Sequence, residues 1–221
     1  MPLVATILPA GAGELDALLF GSLDAGAATF MTVGAKLGLD SLDHEGFVML
    51  ASLGGGRRQE RSDCDYARTR YSFSAATVFG YQWLFDWGTV ATFAGPEGTS
   101  DMLADGRALA ALPAAYGLRL HGEVWARPSE DTLVQATAVG GSARDSLWAR
   151  LAWGYRLWGT YFGPEMSVYA DATGYRKRNL GLHGTDFALG HYSFRVSAGL
   201  QTETGRRGAH PYLGLAVWAP W

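Results

Sequence analysis

Hydrophobic and polar positions alternate with a period of two along most of this 221-residue chain. The clearest stretch is RYSFSAATVFGYQWLF, residues 70–85. Its apolar face carries Tyr71, Phe73, Ala75, Thr77, Phe79, Tyr81, Trp83 and Phe85, and its other face carries Arg70, Ser72, Ser74, Ala76, Gly80 and Gln82. Alternate side chains of a β-strand point to opposite faces of the sheet, so this pattern predicts strands that are apolar on one side only.

About twelve segments show this alternation, which fits strands of about 9–11 residues joined by turns. They begin near Leu15, Ala28, Glu45, Thr69, Trp87, Tyr116, Thr132, Asp145, Tyr161, Arg176, His191 and His210. The alanine-rich stretch DMLADGRALAALPAAY, residues 101–116, departs from the pattern. Alanine has the highest helix propensity, so this stretch could hold a short helix within a loop.

The links between the segments differ in length at alternate positions. FDW, RPSED and LWGT are short, whereas GGRRQERSDCDYA and GPEGTSDMLADGRALAALPAA are longer. Outer-membrane barrels have short periplasmic turns and longer extracellular loops. We therefore predict an all-β protein in which residues 14–221 form a single antiparallel up-and-down transmembrane β-barrel of about twelve strands. An apolar run long enough for a transmembrane helix is missing from the sequence.

The stretch YGLRLHGEVWA, residues 116–126, determines which face turns inward. Arg119, His121 and Glu123 alternate with Leu118, Leu120 and Val124. An arginine on the lipid face costs about 2–4 kcal/mol near the bilayer midplane, so the polar set is predicted to face the lumen. The same reasoning assigns Arg150, Arg156, Glu165 and Arg195 to the lumen, where charges need partners or water.

A soluble barrel is the main structural alternative. A lipocalin-like barrel also alternates, but its apolar residues face inward and its outer face is rich in lysine and glutamate. This chain has only two lysines, Lys36 and Lys177, with 30 glycines and 13% aromatic residues. Its polar face carries serine, glycine, glutamine and arginine, which favours a confined wet interior.

Tryptophan positions support the membrane interpretation. Six of them lie near the predicted short-turn end, namely Trp83, Trp87, Trp125, Trp158, Trp218 and Trp221. Indole has an apolar ring and a polar N–H, and it is enriched where a membrane meets water. We therefore expect these residues to form an aromatic girdle.

Catalytic signatures are weak in this sequence. It has no GxSxG or HExxH motif. The histidines outside the 116–126 stretch, His44, His183, His191 and His210, are mostly near predicted strand ends. Glu123 and Glu165 could be imagined as a glycosidase pair, but pairing with arginine is the preferred interpretation. We predict no catalytic residue, no cofactor and no metal, and the net charge of -3 does not indicate nucleic acid as a partner.

The N-terminal segment and the single cysteine each allow a limited prediction. MPLVATILPAGAG, residues 1–13, has an apolar run and an Ala10-x-Ala12 pair without a basic beginning. It is either the end of a truncated secretion signal or an ordinary N-terminal segment. Cys64 is the single cysteine and is expected to be an unpaired loop residue.

From about Leu19 to Trp218, the chain resembles the BcsS family of outer-membrane proteins associated with bacterial cellulose biosynthesis. The resemblance is carried by LFGSLDAG, GYQW, VWARPSEDT, FGPE and SFRVSAGLQTETGRRGAHPYLGLAVW. It implies an accessory component of cellulose production or export in the outer membrane of a Gram-negative bacterium. The implied partners are outer-membrane lipid and, further, cellulose or another glycan and cellulose-synthesis proteins.

Three functions remain open from the sequence. The first is a non-enzymatic accessory barrel, in which Trp125, Trp148 and Tyr169 either contact sugar or merely fill the lumen. The second is a small pore for other solutes. The third is an outer-membrane enzyme that modifies lipid or glycan and depends on His121.

Overall fold

The computed structural model describes residues 16–61, 67–105 and 108–221. The predicted N-terminal segment 1–13 and Cys64 lie outside the described residues. Within them, no helix is long and apolar enough to cross a membrane.

Thirteen β-strands follow one another along the described chain. They are β1 (Ala17–Ala25), β2 (Thr29–Gly38), β3 (Gly46–Arg61), β4 (Ala67–Phe85), β5 (Gly88–Ala104), β6 (Leu109–Ala111), β7 (Ala115–Ser129), β8 (Thr132–Gly141), β9 (Ser146–Leu157), β10 (Thr160–Ala170), β11 (Arg176–Leu189), β12 (Tyr192–Glu203) and β13 (His210–Pro220).

The strands form one closed antiparallel barrel. β1 pairs with both β2 and β13, and β4 pairs with β5, so twelve strands complete the ring. The short β6 pairs only with β5 and lies outside the ring. This confirms the predicted up-and-down barrel, and each barrel strand begins within two residues of its predicted start.

The predicted helix within residues 101–116 is wrong. In the described part of this stretch, β5 and β6 form a hairpin in which Met102 faces Ala111 and Ala104 faces Leu109. A short isolated helix is only marginally stable, because few of its backbone groups are bonded. Pairing with the end of β5 gives the backbone of β6 hydrogen-bond partners, and this outweighs the helix propensity of alanine.

The two ends of the barrel differ. At the short-turn end, two-residue links at 86–87, 130–131, 158–159 and 190–191 join consecutive strands, and the 39–45 link is longer. The long-loop end includes the links 105–114, 142–145, 171–175 and 204–209. β3, β4 and β5 are the longest strands, with 16, 19 and 17 residues.

The outer and inner faces confirm the predicted register. Outward leucines on β7 and β11 are highly exposed, and Leu180 and Leu182 are each 67% exposed. Asn179 and His183, which flank these two leucines on the alternate face of β11, are buried inside the barrel. A contiguous exposed apolar belt around a polar interior is typical of a transmembrane barrel.

The predicted aromatic girdle is correct only in part. Trp83, Trp87, Trp158 and Trp221 are exposed at the short-turn end, and Trp158 is 95% exposed. Trp125 and Trp218 instead turn inward, where their rings contact each other. Both residues have the inward parity of their strands, which agrees with the sequence-based placement of Trp125 in the lumen and not with an outward girdle.

The short-turn end of the lumen is filled by apolar side chains and by a folded link. Val48, Leu50, Val78, Ala91 and Phe93 form a buried cluster, against which Phe20 and Leu42 pack. The amide nitrogen of Gln82 donates to the carbonyl oxygens of Leu42 and His44, at 2.9 and 2.8 Å. The 39–45 link is thereby held against the inside of the barrel.

Candidate functional site in the lumen

The central cavity of the barrel has a volume of about 390 Å³. It lies between the apolar cluster at the short-turn end and the charged network at the long-loop end. Among the residues predicted from sequence, those that line it are Arg119, His121, Trp148, Arg150, Glu165, Tyr169 and Arg195. The structure therefore brings most of the predicted residues to one space.

Three of the predicted residues lie elsewhere. Glu123 and Trp125 follow His121 along β7 towards the short-turn end, outside the cavity lining. Arg156 lies at the end of β9 beside the 158–159 turn and is exposed. Alternation with a period of two predicts which face of a strand a residue lies on, but not how deep it lies in the barrel. Arg156 has inward parity, but it lies at the mouth of the barrel.

Arg195 links three walls of the lumen. Its Nη1 donates to Oε1 of Gln135 on β8 at 2.6 Å, and its Nη2 donates to the Glu165 carboxylate on β10. The Tyr212 hydroxyl on β13 donates to Oε1 of the same glutamate at 2.9 Å. This group satisfies the buried charges of Arg195 and Glu165 and connects strands that are not neighbours in the sheet.

Arg119 and Glu123 each have a partner of their own. Arg119 donates from Nε to Oε2 of Glu97 at 3.1 Å. Lys36 on β2 reaches across the lumen to Oε1 of Glu123 at 2.5 Å. Inward glycines make room for such groups, since a Cβ on Gly141 would lie 2.4 Å from Oε1 of Glu97.

His121 lies among charged and aromatic neighbours without a close hydrogen bond. Its Nε2 is 3.7 Å from Oε2 of Glu123 and has no hydrogen-bond partner within the described chain. Its ring lies 5.3 Å from that of Phe93. These contacts hold the imidazole in place, but they do not include a serine or cysteine that it could activate.

Trp125 and Trp218 close the lumen at the short-turn end. Their strands, β7 and β13, lie opposite each other in the twelve-strand ring. The ring centroids are 5.5 Å apart with an interplanar angle of 76°. An edge-to-face contact of this kind is favourable for aromatic pairs and here joins opposite walls.

A second set of cross-lumen contacts lies at the long-loop end. We call it the loop-end network, and it consists of Arg58, Glu60, Arg70, Asp101, Arg144 and Asp171. Arg58 on β3 reaches Asp171 beyond β10 at 2.6 Å. Arg70 reaches Asp101 at 2.8 Å, and Arg144 also pairs with Asp101. Charged side chains therefore span the barrel near this mouth.

Two loop residues have shifted pKa values. Burial raises the pKa of Asp171, but hydrogen bonds from Thr173 and Arg58 outweigh it and hold that pKa below its ordinary value. Burial, together with a hydrogen bond of 2.8 Å to Glu203, raises the pKa of Tyr175. Asp171 is thus held ionised and Tyr175 protonated.

The sequence suggested that His183 lies near a strand end, but the structure places it inside a strand. It lies within β11, which continues to Leu189, and it is buried. Its Nδ1 is 2.7 Å from the Thr185 hydroxyl, and its Nε2 is 3.0 Å from the carbonyl oxygen of Trp153. The β11–β12 pairing continues beyond this histidine to Leu189, through a bulge between Thr185 and Phe187.

Several lumen residues were not singled out from sequence. Lys177 and Asn179 on β11 both reach Oδ2 of Asp24 on β1, at 2.7 and 3.1 Å. Gln82, Gln135 and Gln201 are almost completely buried inside the barrel. All of them have the inward parity of their strands, so extending the alternation argument to every strand would have found them.

The described residues offer no group of three or more His, Cys, Asp and Glu side chains arranged for a metal ion. The glutamates considered as a glycosidase pair belong to separate groups. Glu123 pairs with Lys36, and Glu165 pairs with Arg195 and Tyr212. Chemically, the arrangement can bind and position polar groups, because its donors and acceptors line a cavity.

The solved structures with a similar fold include two of one porin. The KdgM porin in complex with disordered oligogalacturonate aligns with a TM-score of 0.52 and 9% identity, over 92% of this chain and 99% of the porin. The KdgM porin alone aligns with a TM-score of 0.51 and 10% identity, with the same coverage. Identities this low show a shared barrel fold alone.

The sequence comparisons define the family. The comparison with curated proteins gave no significant match. The sequence model of the family described as cellulose biosynthesis protein BcsS matches residues 18–221, which include every strand of the barrel except the first residue of β1. This chain therefore belongs to the family of the cellulose biosynthesis protein BcsS.

Proposed function

We propose that this protein is a non-catalytic outer-membrane barrel that acts as an accessory component of bacterial cellulose biosynthesis. The observation that carries the proposal is the pairing of lumen charges across the barrel. Glu123 and Glu165, the acids most suited to catalysis, are engaged with Lys36 and Arg195. A general acid or base must be available to a substrate proton, whereas these groups stabilise the barrel.

The outer surface supports an outer-membrane location. Leu118 and Leu120 on β7, like Leu180 and Leu182 on β11, expose most of their side-chain surface. Burying such a belt requires a lipid or protein environment, and the closed hydrogen-bonded ring meets the requirement that backbone groups in a bilayer be paired. The exposed tryptophans at the short-turn end suit a membrane interface.

The lumen is filled on both sides of the central cavity. Trp125 and Trp218 meet at one side, and Arg58 and Asp171 meet at the other. Passage of a glucan chain would require both contacts to separate. We therefore propose that the role in cellulose production is support or contact, with Trp148 and Tyr169 as the residues available to a sugar in the cavity.

The experiment is deletion and complementation in a cellulose-producing strain. We expect cellulose output to fall on deletion and to return to the same level with the wild-type gene or with His121→Ala. The amount of folded barrel is measured by the heat-dependent shift of the outer-membrane fraction on a denaturing gel. Unchanged output on deletion would rule out the accessory role. A folded His121→Ala barrel that fails to restore output would indicate catalysis instead.

A further inference from the structure

Arg150 lines the central cavity and contacts none of the described carboxylates as an ion pair. The other lysines and arginines of the lumen and the loop-end network each contact a carboxylate, namely Lys36, Arg58, Arg70, Arg119, Arg144, Lys177 and Arg195. Within the described chain Arg150 forms no ion pair, and its Nε is buried without a hydrogen-bond partner. A buried guanidinium is costly unless something neutralises it, so this site is suited to an anion.

Two unsatisfied acceptors line the same cavity. Oδ1 of Asp24 and Oδ1 of Asn179 are buried and have no hydrogen-bond partner within the described residues. The other carboxylate oxygen of Asp24 already accepts from Lys177 and Asn179. A ligand for this cavity therefore needs hydroxyl donors as well as a negative charge.

Strand register fixes the spacing of these groups. Arg150 faces Ser167 on β10, and Ser167 faces Asn179 on β11. Neighbouring strands are about 4.8 Å apart, so the backbones of Arg150 and Asn179 are roughly 10 Å apart. Ser167 lies between Arg150 and Asn179 in this row, and all three residues line the cavity.

Apolar surface lies in the next row of the same sheet. Trp148 faces Tyr169 directly in the β9–β10 register, and both line the cavity. The guanidinium of Arg150 is 5.8 Å from the centre of the Trp148 ring. The C–H face of a sugar can pack on these aromatic rings while its polar edge contacts Arg150, Ser167 and Asn179. A cavity of about 390 Å³ is within the range for small-ligand sites.

We propose that the central cavity binds an acidic sugar. Its carboxylate pairs with Arg150, its hydroxyls donate to Asp24 and Asn179, and its ring packs on Trp148 and Tyr169. This inference deepens the proposed sugar contact and rests on the barrel of the proposed function, but not on its cellulose role. The acidic-sugar site is tested by ligand binding and the cellulose role by cellulose output, so failure of one proposal can be distinguished from failure of the other.

Titration calorimetry of the full-length folded barrel in detergent with glucuronate as the probe tests the proposal. We expect saturable binding at one site. Arg150→Gln should weaken it at least about tenfold, since a charge-assisted contact is lost. Arg156→Gln is the matched control on β9, because Arg156 is exposed at the mouth and should not change the affinity. Trp148→Ala should also weaken binding, whereas Trp153→Ala, which alters the outward face of β9, should not.

The remaining outcomes overturn the proposal in distinct ways. Equal affinity for glucose would show that the charge is irrelevant, and equal affinity for acetate would show a simple anion site. The absence of saturable glucuronate binding to the wild type would reject the site. Arg150→Lys keeps the cation and should retain part of the affinity, so it tests the charge even if Arg150→Gln fails to show the heat-dependent gel shift of a folded barrel.

Discussion

Asp171 shows how one side chain holds a loop of this barrel to the opposite wall. Its Oδ2 accepts from Nη1 of Arg58 at 2.6 Å and from the Tyr169 hydroxyl at 3.1 Å. Its Oδ1 accepts from the backbone nitrogen of Thr173 at 3.0 Å and from the Thr173 hydroxyl at 2.5 Å. Removing one partner of a buried ion pair typically costs about 3–5 kcal/mol, so much of the loop's stability depends on this carboxylate.

The Asp171→Asn variant should therefore lower the free energy of unfolding in a pH-dependent way. The pKa of Asp171 is below its ordinary value of 3.8 in the folded protein. The ionised form thus stabilises the fold fully above that ordinary value, and this contribution disappears as the pH falls through the folded pKa. Urea unfolding from neutral to strongly acidic pH should show a gap of about 3 kcal/mol between variant and wild type at neutral pH, closing below the folded pKa.

Asp186→Asn provides the control for this experiment. Asp186 pairs with Arg127 at 3.2 Å, but the Arg127 side chain is 51% exposed. Exposed ion pairs contribute about 0–1 kcal/mol, so the control should unfold almost like the wild type throughout. A gap for Asp171→Asn that persists unchanged in acid would mean that packing, and not charge, explains the effect.

At the residue scale, sequence predicted faces better than partners. Arg119, Arg150 and Arg195 all line the cavity, as their parity indicated. Arg119 meets Glu97 on the adjacent β5, and Arg195 meets Glu165 two strands away on β10. A period of two predicts the face of each residue but not which carboxylate lies beside it. For the same reason, the sequence could not show that Arg150 forms no ion pair with the described residues.

At the scale of the strand, β8 contains a natural test of the inward and outward faces. Gly140 and Gly141 are consecutive, so they point to opposite sides. A Cβ on Gly141 would lie 2.4 Å from Oε1 of Glu97, whereas nothing lies within 4 Å of one on Gly140. Glu97 also accepts from Arg119 and from the backbone nitrogen of Ala143.

We expect Gly141→Ala to destabilise the barrel and Gly140→Ala to leave it nearly unchanged. The added methyl group on Gly141 must displace the Glu97 carboxylate and weaken its two hydrogen bonds, at a cost of about 1–3 kcal/mol. The midpoints of urea unfolding compare the two variants directly. Equal midpoints would contradict the assignment of Gly141 to the crowded inner face.

The positions of the strands were predictable because the segments that alternate in sequence are also the strands that pair into the closed barrel. The exposed Leu118, Leu120, Leu180 and Leu182 follow the period that the sequence shows, and a slip of one residue would place charges in lipid. Predictions failed where pairing overrode local preference. The alanine-rich hairpin of β5 and β6 and the extension of β11 past His183 both depend on backbone bonds to a neighbouring strand.

At the scale of the whole molecule, two closures lie in series along the lumen. Trp125 and Trp218 meet near the short-turn end, and the loop-end network spans the other mouth. An ion that crosses the barrel must pass both, so the narrower of the two limits the current. If only one closure is opened, the other still limits the current.

Single-channel conductance in planar bilayers should reveal this arrangement. We expect small conductance increases for the Trp125→Ala/Trp218→Ala pair alone and for Asp171→Ala alone. Combining the three substitutions should give an increase larger than the sum of the separate ones, because resistances in series limit each other. The matched control is Trp83→Ala/Trp87→Ala, which removes two exposed tryptophans from the same end and should not alter conductance. A wild-type barrel that conducts as well as the combined variant would show that these contacts do not close the lumen.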